Sequence, residues 1–101
     1  MIYQTHIHMT IYDLEKQKCS SGNKIIELHF PPYDGLILQE RTGPTGPIRG
    51  TTWDIEEECF YCSIEMQESR PSDGDNLDFD FLVECAVGDG YEGFNTILHL
   101  K

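Results

Sequence analysis

"LDFDFLVECAV" (Leu77–Val87) decides how this chain is read. Leu77, Phe79, Phe81, Val83, Cys85 and Val87 share one parity, and Asp78, Asp80 and Glu84 occupy the other. Successive side chains of a strand point to opposite faces, so the alternation predicts a half-buried strand with its acids in solvent. Gly88, Asp89 and Gly90 supply the turn that follows.

The same period of two recurs outward from this segment. Ile7, Met9 and Ile11 alternate with His6, His8 and Thr10. Ile26, Leu28 and Phe30 alternate with Glu27 and His29 until Pro31 and Pro32 stop the strand. Leu36–Leu38 forms a short apolar run, and Phe94–Leu100 reads as a closing strand with Phe94, Leu98 and Leu100 inward. Glu40–Gly50, "ERTGPTGPIRG", reads as a surface loop, in which Arg41 and Arg49 are candidate contacts.

Residues 54–66 support two assignments. As a strand, Phe60, Cys62, Ile64 and Met66 face inward. As a helix, Asp54 and Glu57 form a capping box, and Ile55, Cys59, Cys62 and Met66 line one face. The sheet-preferring run "CFYCSI" favours the strand. The fold expected is mainly β, a small antiparallel β-sandwich or curled sheet, in one domain over residues 1–101. The alternative is α+β with one helix at about 54–67.

Charge is the strongest functional signal. The chain carries 18 acids against 7 Lys and Arg, a formal net charge of −11. Residues 1–50 hold five acids and five bases, whereas residues 51–101 hold thirteen acids and two bases. Such a field repels nucleic acid and anionic membrane and attracts basic partners. No basic segment followed by an apolar one opens the chain, and no apolar run approaches the ~20 residues of a membrane span. Cys19, Cys59, Cys62 and Cys85 make no dense disulfide pattern, so a reducing, cytoplasmic location is expected.

The acidic stretch Asp73–Phe81 has the oxygen donors of a calcium loop but not its arrangement. Its spacing departs from the EF-hand pattern, and Asp78 and Asp80 would stand roughly 7 Å apart on a strand, too far to share one small ion unaided. A turn running into a solvent-facing row of carboxylates explains it better. His6 and His8 share a strand face and form a candidate metal pair, zinc being the natural ion, with His29 or His99 as further ligands. Cys59 and Cys62 on a strand point to opposite faces and do not chelate together. No nucleotide-binding, zinc-protease or serine-hydrolase motif is present, which points away from an enzyme.

The expected function is a small acidic protein-binding module that needs no cofactor. It covers a basic surface of another protein, such as an inhibitor or immunity-type protein blocking a nucleic-acid enzyme, a profile shared as a class by bacterial and phage accessory proteins. It does not bind nucleic acid or membrane directly, and a homodimer is compatible with it. The candidate contacts are Glu56, Glu57, Asp78, Asp80 and Glu84, with Tyr61 and Tyr91 as aromatic anchors. The alternatives are a metal-binding β-sandwich, hydrolytic or sugar-active, using His6 and His8, and a structural subunit of a larger assembly.

Overall fold

The computed structural model describes residues 2–13, 17–64, 67–68, 79–94 and 97–99, with the backbone alone at 67, 68 and 99. The chain is mainly β, with one short helix among the described residues. Two long strands, β1 (Tyr3–Asp13) and β2 (Lys18–Leu28), pair antiparallel over their whole length. A small hairpin follows, β3 (Leu38–Glu40) with β4 (Gly43–Thr45). A second hairpin, β5 (Ile48–Asp54) with β6 (Cys59–Ile64), returns to the main sheet. Two short strands, β7 (Gln67–Glu68) and β8 (Leu98–His99), flank the helix α1 (Phe79–Gly88) in the chain. The sheet order is β5-β6-β1-β2-β8, with β7 pairing β1 beyond the end of β6.

β1 sits at the centre, and its alternation sets two faces. Thr5, Ile7, Met9, Ile11 and Asp13 are buried on the inner face, whereas His6, His8, Thr10 and Tyr12 lie on the outer one. Ile48, Cys62 and Ile64 extend the inner face across β5 and β6, and Phe79, Ala86, Tyr91 and Phe94 complete the core. Phe94 packs on Gly22, where an added Cβ would lie 2.4 Å from its ring, so β2 needs a glycine there. The pairing of β1 with β6 is parallel, which makes the sheet mixed where an all-antiparallel one was expected.

The segment Leu77–Val87 differs most from its sequence reading. From Phe79 onward it is helical, while Leu77 and Asp78 lie outside the described residues. Phe79, Leu82, Val83 and Ala86 follow the i, i+3, i+4, i+7 spacing of a helix face, and these four turn toward the core. Leu82 and Ala86 are the apolar residues that interrupt the strict alternation. Phe81 and Val87, inward under a period of two, are exposed. Gly88–Gly90 is the helix stop rather than a hairpin turn. Gly90, at φ +99°, lets its N–H donate to the carbonyl of Val87 and the Tyr91 N–H donate to that of Ala86, a Schellman closure.

Three further assignments shift. The expected loop at 40–50 contains β4 and the start of β5, with Thr45 and Ile48 buried. Among the described residues the closing strand spans Leu98–His99, with Leu98 56% exposed and Phe94 buried as expected, while Leu100 lies outside the described residues. Within 54–66 the strand assignment holds at Cys59–Ile64. Asp54 does accept hydrogen bonds from the Glu56 and Glu57 N–H groups, both at 3.0 Å, but it closes a turn and not a helix. Glu58, at φ +54°, leaves the right-handed helical region and feeds the chain into β6.

Candidate functional site

Among the described residues, burial of the inner face of the main sheet falls off toward one end, where Trp53 is exposed. Helix α1 packs against β1, and its core residues cluster with Met9 and Ile11. The opposite end of that face carries an aromatic row that crosses three strands. Tyr3 of β1 meets Phe60 of β6 with ring centroids 5.8 Å apart, and Phe60 meets Trp53 of β5 at 4.8 Å. Both pairs are tilted, an arrangement that ring quadrupoles favour. Trp53, the single tryptophan of the chain, is 44% exposed.

The β5–β6 turn projects beyond this row. Its residues Ile55, Glu56, Glu57 and Glu58 are all exposed, Ile55 at 81%. Asp54 holds the turn's shape through its two backbone hydrogen bonds, so the three glutamates are presented from a defined loop. Four acids and no base therefore lie between Trp53 and Phe60. Ile2, Phe30 and Tyr33, also exposed, sit at the start of β1 and just past the end of β2. Large apolar side chains beside a charged border match the anatomy of protein-binding surfaces, where aromatic anchors carry most of the energy.

The residues singled out from sequence separate into several places. Glu56 and Glu57 are in this turn. Tyr61 is 42% exposed on the outer face, stacked on His6 with centroids 4.6 Å apart. A side-chain hydrogen bond with Cys59 is the main cause that pushes the Tyr61 phenol above its usual range. Asp80 and Glu84 are exposed one turn apart on α1, on a different element from the hairpin. Asp78 lies outside the described residues. Tyr91 is 2% exposed, so it is a core residue and presents no ring to a partner. It is the residue after the αL glycine of the helix stop, a position whose side chain packs back on the helix.

Tyr91 belongs instead to a buried polar centre. Lys24 faces inward, forms an ion pair with Glu40, donates to the Asp89 carbonyl at 3.0 Å, and lies 4.6 Å from the Tyr91 ring centroid. Burial pulls the Lys24 ammonium below its usual range, and the Asp89 carboxylate partly offsets that. Asp89 in turn accepts from the Thr42 N–H at 3.0 Å and the Thr42 hydroxyl at 2.6 Å, tying the end of α1 to the β3–β4 turn. Lys24 is thus spent inside the fold and does not neutralise the acidic surface.

The Tyr91 hydroxyl is buried with no hydrogen-bond partner among the described residues. Burial also holds its phenol well above the ordinary tyrosine range. Tyr91→Phe is therefore expected to leave the fold intact and to raise stability by about 1 kcal/mol at neutral pH. Above about pH 10 the unfolded phenol ionises while the folded one does not, so the wild type loses stability as pH rises and Tyr91→Phe is spared that loss. Urea unfolding at neutral and alkaline pH measures both effects. Destabilisation at neutral pH would mean that the hydroxyl has a partner.

The outer face holds the histidine pair. His8 shares hydrogen bonds through Nδ1 with Asn23 at 2.8 Å and through Nε2 with Thr10 at 3.3 Å. Ser63 is its register partner on β6, yet both ring nitrogens are bonded elsewhere. His29 lies just past one end of β2, whereas His99 pairs with Lys18 at the other end, so the two do not converge. Among the described residues no group of three or more His, Cys, Asp or Glu side chains is arranged to hold a metal. The four cysteines are free thiols. Cys62 is buried on the inner face, and that burial pushes its thiol up. No helix among the described residues is long and apolar enough to cross a membrane.

Comparison with protein-family models, curated proteins and solved structures finds no match to this chain.

Proposed function

We propose that the chain is a small acidic protein-binding module that docks the end of its β5–β6 hairpin on a basic surface of another protein. One observation carries this: an aromatic row, half-buried at Tyr3 and Phe60 and exposed at Trp53, lies beside a turn with three exposed glutamates. The rings supply desolvated contact, and the carboxylates supply steering and discrimination against acidic surfaces. A basic cleft shaped for a polyanion, as in a nucleic-acid enzyme, is the kind of surface such a module would block.

The test is capture from an extract of the source organism at low and high salt, with wild type and Trp53→Ala in parallel. The expected result is one stoichiometric basic protein, weakened by salt and lost with Trp53→Ala. Capture of nothing, or of the same proteins by both forms at both salts, would overturn the proposal.

A further inference from the structure

We infer that what docks on the aromatic end of the sheet, around the exposed Trp53, is an arginine-rich segment, and that positive charge in general does not suffice. This rests on the protein-binding reading above and names the chemistry of its partner. The surface offers two things at once. Trp53 presents an exposed ring, and Phe60 and Tyr3, half-buried, back it without offering an open ring of their own. Glu56, Glu57 and Glu58 are exposed in the turn that follows Trp53 in the chain.

A lysine ammonium answers the carboxylates alone, because it is compact and strongly hydrated. A guanidinium answers both. It is planar, gives up its hydration more readily, lies flat over an indole, and forms paired hydrogen bonds with a carboxylate. Charge complementarity also decides against a second copy of the chain as the occupant. Two copies would each bring a net charge of −11, and a shared two-fold contact at this end would set one glutamate turn against the other.

Because Trp53 is the single tryptophan, its fluorescence reports directly on this surface. The intact chain is titrated with oligo-arginine and with oligo-lysine of equal length at low ionic strength. Oligo-arginine is expected to change Trp53 emission and to bind about tenfold more tightly than oligo-lysine. Trp53→Leu, which keeps apolar bulk but removes the ring, is expected to bring the two peptides to equal affinity by calorimetry, with circular dichroism confirming the fold.

Equal affinity of both peptides for the wild type would overturn the arginine inference and leave the basic-partner reading standing. An arginine preference that persists in Trp53→Leu would overturn it too, by placing the guanidinium elsewhere. Binding of neither peptide would tell against the basic-partner reading and this inference together. A change in Trp53 emission with protein concentration alone would assign the surface to a second copy and overturn the inference.

Discussion

Ile7→Ala is expected to cost about 2–5 kcal/mol, the range found when a fully buried aliphatic side chain is truncated in a packed core. Ile7 has no exposed surface and lies on the central strand, opposite Lys24 of β2 and Cys62 of β6 in register. Its neighbours belong to elements paired on both sides of β1, so they have little freedom to collapse into the space left. A domain of this size holds roughly 5–15 kcal/mol in total. The change therefore removes a large share of the margin and lowers the melting temperature by about 10–30 °C. Ile25→Ala makes the comparison fair. Ile25 is on the outer face, 57% exposed, and its loss should cost within about 0.5 kcal/mol. Thermal unfolding of both variants measures the difference. Equal effects would mean that the inner face of β1 is not the core.

The second large effect concerns association and not stability. Reversing the turn with Glu56→Lys, Glu57→Lys and Glu58→Lys together should slow association with a basic partner by tenfold or more at low salt. The three side chains are exposed, and the turn's geometry comes from Asp54, which is left in place. The melting temperature should therefore change little. The gap between wild type and variant should close as salt rises, since exposed charges are screened over about 8 Å at physiological ionic strength. Stopped-flow association across a salt series reads this out. A rate independent of the charge reversal would remove the turn from the docking surface. Asp80→Lys and Glu84→Lys on α1, set against Glu56→Lys and Glu57→Lys alone, serve as the matched control, since both pairs change the net charge equally and only one lies in the hairpin.

Much of the sheet was legible because its residues obey one period only. In β1, Ile7, Met9 and Ile11 are apolar and every residue between them is polar, which no helical face would tolerate. Leu77–Val87 satisfied two periods at once. Its parity set and its i, i+3, i+4, i+7 set share Phe79 and Val83, and only Leu82 and Ala86 tell them apart. The helix wins because the inner face of β1 needs a cover, and the Phe79–Ala86 stripe provides one. The glycines at 88 and 90 fit a hairpin turn and a helix stop equally well, so the punctuation did not arbitrate.

The candidate site was half legible. Glu56 and Glu57 stood out as acids beside sheet-forming residues, and the turn places them at the surface. The aromatic row did not stand out, since Tyr3 lies far from Trp53 and Phe60 in sequence and the latter two meet only if 53–60 is a hairpin. Only the register, Trp53 opposite Phe60 and Tyr3 beside it across the β1–β6 pair, brings them together. Strand β5 itself was obscured by the glycines and prolines that precede it. The misplacement of Tyr91 has the same origin as that of the helix. As the residue after a hairpin turn it would be exposed, but as the residue after a Schellman closure it folds back into the core.

Hydrogen exchange of the chain, free and bound to its captured partner, tests the docking surface most directly. The turn amides of Ile55–Glu58 and the outer edge of β5 near Trp53 lie where the partner is proposed to sit. Binding is expected to slow exchange there and to leave the outer-face residues around His8 and Asn23 unchanged. Protection confined to the outer face, or to α1 around Asp80 and Glu84, would contradict it.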